Sequence, residues 1–182
     1  LLNLVDEFDR VEGDKRAYQL SRTEGTEPSD IPFRHMVTAV QIADERGFDY
    51  LLTVLGRTSY DTSEASAIRQ RAGNARNWLQ KYAPPFVKFK VQETIPPQVK
   101  SFTKEQKMAL AILADELEQG MGGQEIHDNM YRVAEAAGID GKKVFETVYL
   151  ALLGLKSGPR AGHFLASLDR DFLVRRFKEA SQ

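Results

Sequence analysis

The sequence predicts an all-α protein, a helical bundle in two subdomains, and three observations carry that expectation. Apolar residues recur at alternating spacings of three and four along most of the chain. Glycine and proline fall between these periodic runs and not inside them. Two proline pairs, Pro84-Pro85 and Pro96-Pro97, then separate an N-terminal set of runs from a C-terminal set, because neither pair fits a helix interior. At 182 residues and 42% hydrophobic content, the chain can close one or two small cores.

Leu1 to Arg10 reads as an amphipathic opening. Pro32 suits the first turn of a helix running to about Arg46, where Gly47 stops it, and a short apolar helix from Phe48 to Leu55 ends at Gly56. From Asp61 to Tyr82, the residues Ala65, Ile68, Ala72, Ala75, Leu79 and Tyr82 form one stripe of a longer helix. Phe86 to Val91 alternates weakly, as a short extended segment does, and the stretch from Ala83 to Ser101 is the candidate boundary. Residues 1–100 and 101–182 are the two subdomains this implies.

The second subdomain opens on Thr103 with Gln106 three residues on, a capping-box spacing, followed by Leu110, Leu113 and Leu117. Gly120, Gly122 and Gly123 supply a turn. A helix through Ile126, Met130, Val133, Ala134 and Ala137 should end in a left-handed cap at Gly138. Asp140 can cap the next helix, whose stripe is Val144, Phe145, Val148 and Leu152 and whose stop is Gly154. The closing helix starts near Ser167 or Asp169 and carries Leu173 and Phe177 inward.

No apolar run approaches the ~20 residues that span a bilayer, and the N-terminus lacks the order of a secretory signal, so the expected setting is cytoplasmic. The absence of cysteine removes disulfides and thiolate metal sites. The first residue is Leu1 and not methionine, which fits a domain excised from a longer protein.

The net charge of -1 conceals a segregation. Lys and Arg against Asp and Glu number 7 to 11 over residues 1–60, 7 to 3 over 61–100, 3 to 8 over 101–140 and 8 to 4 over 141–182. As solvated helix faces these stretches need no ligand. Where the basic ones meet in space they can instead take a phosphate backbone, because each neutralised phosphate releases counterions whatever the total charge.

Catalytic signatures are scarce. His35, His127 and His163 each stand alone, none with a second ligand at metal spacing, and the carboxylates of Asp115-Glu116-Leu117-Glu118 read as a solvated helix face. The run Gly154-Leu155-Lys156-Ser157-Gly158-Pro159-Arg160-Ala161-Gly162 has the glycines and cations of a phosphate loop but follows a helix, and Gly158-Pro159 comes straight after Lys156-Ser157. It is expected to be a turn between helices, with His163 in the loop and Lys156 and Arg160 as candidate phosphate contacts. Arg170, Arg175 and Arg176 extend the basic stretch along the closing helix. Farther upstream, Arg69 and Arg76 lie seven apart on one flank of the apolar stripe and Arg71 and Trp78 on the other; an arginine beside an aromatic serves stacked bases, or simply covers a half-buried ring.

The residues from Val148 to Phe177, VYLALLGLKSGPRAGHFLASLDRDFLVRRF, resemble the C-terminal end of class I lysyl-tRNA synthetases, which closes with a helix, a Gly-Pro-Arg turn, a Phe-Leu segment, a Leu-Asp pair and a last helix bearing Phe and Arg. Ile31-Pro32-Phe33-Arg34 and the apolar helix after it are similar to the same family, whereas residues 83–123 contribute little. His163 departs from the resemblance, standing where proline is expected. The family's catalytic motifs, a His-x-Gly-His-like sequence and a Lys-Met-Ser-Lys-Ser-like loop, do not occur in this chain.

The resemblance implies a fragment that catalyses nothing itself, with ATP used by a catalytic domain outside it and no cofactor or metal of its own. It implies an α-helix cage that binds the anticodon arm of tRNA(Lys) in residues 101–182, and a bridging or stem-contacting role for 1–100. The expected partners are tRNA(Lys) and the protein's own N-terminal catalytic domain. An anticodon domain of a glutamyl-tRNA synthetase and a helical protein-interaction module are the alternatives.

Overall fold

A computed structural model describes residues 30–118 and 123–182. The expected opening helix Leu1 to Arg10, and Gly120 and Gly122, lie outside these residues. The described residues form eight α-helices and three short 3-10 turns, in two compact units that divide between Ala83 and Pro84. That division falls at the first proline pair.

In the first unit, α1 (Phe33–Ala43) follows Pro32, whose carbonyl accepts from the Met36 amide at 3.0 Å. Nearly every side chain of α1 is buried, including Met36, Val37, Val40 and Ile42, with Arg34 exposed and Gln41 partly covered. Thr38, inside this surface, spends its hydroxyl on the Arg34 carbonyl at 3.2 Å. The helix stops at Ala43 and not at Arg46: Asp44 turns to φ 46°, and Asp44–Arg46 form a 3-10 turn. Arg46 reaches back to the Ile42 carbonyl at 2.9 Å, satisfying one acceptor at the helix end. Gly47 therefore serves as hinge as well as stop. Its φ of +88° is what requires glycine there, and α2 (Gly47–Gly56) begins on it.

The next helix, α3 (Ala65–Lys81), starts four residues later than the periodicity predicts. Asp61 bonds the Ser63 amide and hydroxyl, each at 2.9 Å, and so forms a local turn in place of a helical one. Of the predicted stripe, Ile68, Ala72 and Ala75 are buried where α3 meets α1, Leu79 is half-buried, and Ala65 and Tyr82 are exposed beyond the ends of the packed region.

The second unit contains α4 (Lys104–Glu118), α5 (Gly123–Ala137), α6 (Gly141–Leu153), α7 (Ala161–Ser167) and α8 (Arg170–Ala180). Helix α4 packs most extensively on α8; α5 touches α4, α6 and α7; and α6 also meets α4 and α8. Leu110, Leu113, Met130, Leu152, Phe164, Leu165, Leu173 and Phe177 fill the interior. Each such side chain stabilises the fold by roughly 1.5–3 kcal/mol of transfer free energy.

The predicted ends of these helices are present atom by atom. The Thr103 amide donates to Gln106 Oε1 at 3.1 Å while Thr103 Oγ1 accepts from the Gln106 amide at 3.3 Å, a reciprocal capping box. Gln106 then donates to Thr147 Oγ1 at 2.8 Å, tying the start of α4 to α6. Gly138 closes α5 at φ +70°, with the Ile139 amide on the Ala134 carbonyl. Asp140 caps α6 through the Lys142 amide, Gly154 ends it at φ +68°, and Asp169 caps α8 through the Phe172 amide.

The stretch between the proline pairs is no loose tether. Pro85–Val87 form a 3-10 turn and not an extended strand, and Pro97–Ser101 form another. In between, the Gln92 amide donates to the Leu152 carbonyl at 2.9 Å and the Phe89 ring meets Phe164 edge-on at 5.5 Å, while Gln98 in the second turn donates to the Gly154 carbonyl at 3.1 Å. The stretch is bonded into the second unit.

Candidate nucleic-acid interface

The basic corner is built between α6 and α7. After Gly154 turns the chain, Leu155, Lys156, Ser157 and Gly158 are all exposed. Gly158 fits closely here: a Cβ would sit 2.8 Å from the Tyr149 ring and 2.9 Å from Leu153, so a larger residue must displace one of them. The Tyr149 hydroxyl in turn donates to the Pro159 carbonyl. Burial pushes the Tyr149 phenol up to about 12, so it remains a neutral donor over the physiological range. Ring packing on one side and this bond on the other hold the Gly158-Pro159 peptide, and with it the exposed Arg160 that follows.

Arg160 precedes α7, a helix where the sequence pattern predicts a turn with His163 in a loop. Phe164 and Leu165 are buried and draw the segment into helical form, and the Phe164 amide bonds the Arg160 carbonyl at 2.9 Å. His163 is an exposed helical residue three positions from Arg160, on the same face. Partial desolvation, and then the charge of Arg160, hold its imidazole below the usual histidine range. Lys156, Arg160 and His163 thus present two cations and a neutral imidazole on a held corner, suited to phosphate oxygens and base edges.

The closing helix behaves differently. Arg170 and Arg175 are exposed, but Arg176 is only 2% exposed. Its guanidinium donates to the carbonyls of Ala151 at 3.0 Å and of Gln92 and Glu93 at 2.8 Å each, and lies 5.0 Å from the Phe172 ring centre. Desolvation lowers its pKa from the arginine value, opposed by the charge of Glu179. Arg176 is therefore corrected from a candidate tRNA contact to an internal clamp: three of its five donors bond backbone oxygens, and burial keeps the guanidinium from a phosphate.

Arg69 and Arg76 belong to the first unit, both exposed on α3, with the Arg69 guanidinium 3.8 Å from the centre of the Phe48 ring. Trp78 is half-buried, its ring edge-on to Phe33 at 6.4 Å, and the neighbouring Arg71 lies over Phe33 with its guanidinium 5.7 Å from that ring's centre. Two histidines have other neighbours: His35 bonds Thr58 Oγ1 at 2.9 Å, and His127 stands among Tyr131 and Phe145. Among the described residues no group of three His, Asp or Glu side chains is placed to hold a metal, and no helix is long and apolar enough to cross a membrane. Of the acidic run, Asp115 is exposed, whereas Glu116 bridges α4 to α5 through Arg132 at 3.1 Å and Asn129.

Helices α4 to α8 with the basic corner, and α3 from its third residue on, fall within residues 67–181, which match the family described as anticodon binding domain. That match covers more than half of the chain, and the protein belongs to this family of all-α domains. Curated relatives sharpen the assignment: over its full length the chain is 39% identical to the lysine–tRNA ligase of Methanosarcina barkeri. Over 99% of its length it is 36% identical to that of Archaeoglobus fulgidus, and over 98% it is 34% identical to that of Pyrococcus horikoshii. It spans 39%, 36% and 38% of those proteins, so about two fifths of their length is represented.

Proposed function

We propose that the protein grips the anticodon arm of tRNA(Lys) as the C-terminal, RNA-holding part of a class I lysine–tRNA ligase. Its second unit would act as the α-helix cage and its first as the bridge towards the stem and the protein's own catalytic domain. The observation that carries this reading is the corner at Lys156 and Arg160: exposed, cationic and held in place by Tyr149, within a chain of the anticodon-binding family. Anticodon bases are recognised as unstacked single strands, which calls for fixed cations and donors on a rigid support. Relatives named for lysine, not glutamate, favour lysine over the glutamyl alternative.

Lysine activation with ATP belongs to the catalytic domain, in the cytoplasm. The present residues are expected to show no lysine-dependent ATP–pyrophosphate exchange, since neither nucleotide motif of that domain occurs in them. The test of the reading is binding of a tRNA(Lys) transcript at low and at raised salt. Affinity that falls steeply as salt rises supports it, and salt-independent or undetectable binding would leave a protein-interaction module in its place.

A further inference from the structure

The segment after the first proline pair presents a second surface, which the charge count alone does not single out. From Phe86 to Val91 exposure alternates residue by residue: Phe86, Lys88 and Lys90 are exposed, while Val87, Phe89 and Val91 are partly covered. Lys88 leaves the Pro85–Val87 turn with extended backbone angles, φ -84° and ψ 130°. Lys88 and Lys90, two apart on this extended stretch, then share one face about 6.6 Å from each other, and Phe86 precedes them in the turn. Phe86 is 82% exposed, unusual for an aromatic residue beside a well-packed core.

This edge is fixed, not frayed. Phe89 packs on Phe164 from the covered side, and the backbone just beyond, at Gln92 and Glu93, is held by Arg176 and by the Leu152 carbonyl. Phe164 also faces the Tyr149 ring at 6.4 Å, and Tyr149 supports Pro159. The edge and the Arg160 corner therefore rest on the same buried ring.

We propose that Phe86, Lys88 and Lys90 form a contact for unpaired RNA, in which the two lysines take neighbouring phosphates and the Phe86 ring stacks on a base. Cations beside an exposed aromatic on a rigid edge are the combination by which single-stranded nucleic acid is held without sequence preference. The only carboxylate between residues 84 and 101 is Glu93, so the charge of the segment favours a polyanion. The inference rests on the tRNA reading above and adds a place to it.

The test uses the whole chain with a tRNA(Lys) transcript, a short oligouridylate and an RNA duplex of equal length. Phe86→Ala should weaken oligouridylate and tRNA binding about 5- to 100-fold, with Phe86→Trp retaining it. Lys88→Gln with Lys90→Gln should lower the salt slope for oligouridylate by about 1.4, the release expected from two single-strand phosphates. All three side chains are exposed, so thermal unfolding of the variants should match the parent. If these variants leave affinity and slope unchanged while Arg160→Ala weakens tRNA binding, this contact is overturned and the tRNA reading stands, with the exposed ring assigned to a protein neighbour. If the parent chain binds no tRNA, both fall.

Discussion

The corner from Gly154 to His163 and the closing helix α8 are equally basic in sequence and opposite in use. Arg160, in the corner, is exposed on a turn whose shape is set by Gly158 against Tyr149. Arg176, sixteen residues on, points inward and joins α6 to the Gln92-Glu93 backbone. The difference shows that a basic stretch does not define a binding surface. Its arginines divide between water and backbone acceptors according to where each falls relative to the apolar stripe.

The largest effect expected from this division is on stability. Arg176→Met removes donors from three carbonyls and frees the segment they hold, and should cost about 2–4 kcal/mol in urea unfolding. A loss below ~0.5 kcal/mol, the ordinary range for a surface position, would return Arg176 to the surface set. On the corner, Gly158→Ala forces a methyl against a buried ring and should cost about 1–3 kcal/mol. A stable variant would mean that the Gly158 contact with Tyr149 yields readily and does not fix the turn.

Tyr149→Phe probes the same support from below and should cost about 1 kcal/mol, for one hydrogen bond. It should also alter the alkaline limb of stability. The phenol's pKa is raised from 10.0 to about 12 in the fold, so its contribution is complete below pH 10 and is lost as pH rises through 12. The Phe variant should lack that limb in parallel urea titrations.

The smallest effect falls on His163. Its folded-state pKa lies below the ordinary histidine value of 6.5, so its contribution to stability is present above that value and lost as pH falls through the folded pKa. An RNA phosphate at the corner would raise that pKa, so proton uptake should accompany binding. Imidazole NMR shifts with and without tRNA read this directly, and an unmoved titration would place His163 outside the interface.

Much of the helix punctuation was legible because it is local chemistry. Thr103 with Gln106, Asp140, Asp169, Gly138 and Gly154 each act through atoms a few residues away. Helix α7 was not, since seven residues containing glycine and histidine have little helix propensity and are held helical by burying Phe164 and Leu165. The inward turn of Arg176 did leave a signal: Leu173, Arg176, Phe177 and Ala180 fall at i, i+3, i+4 and i+7, the spacing of the buried stripe. Charge had argued against reading it that way, and only the carbonyls of Gln92 and Glu93, distant in sequence, resolve the conflict. The Phe86–Lys90 edge was half legible. Its alternation stands in the sequence, whereas the rigidity that makes it a surface comes from contacts with Phe164 and Arg176.

The central claim, that the Arg160 corner meets RNA while Arg176 serves the fold, is tested most directly on Arg160→Ala by measuring tRNA(Lys) affinity across a salt series and thermal unfolding on the same preparation. The account predicts unfolding like the parent's with weaker binding: a salt slope lower by about one for a phosphate contact, or a loss of ~1–3 kcal/mol for a base edge. A variant that melts early yet binds tRNA as tightly as the parent, per folded molecule, would contradict it.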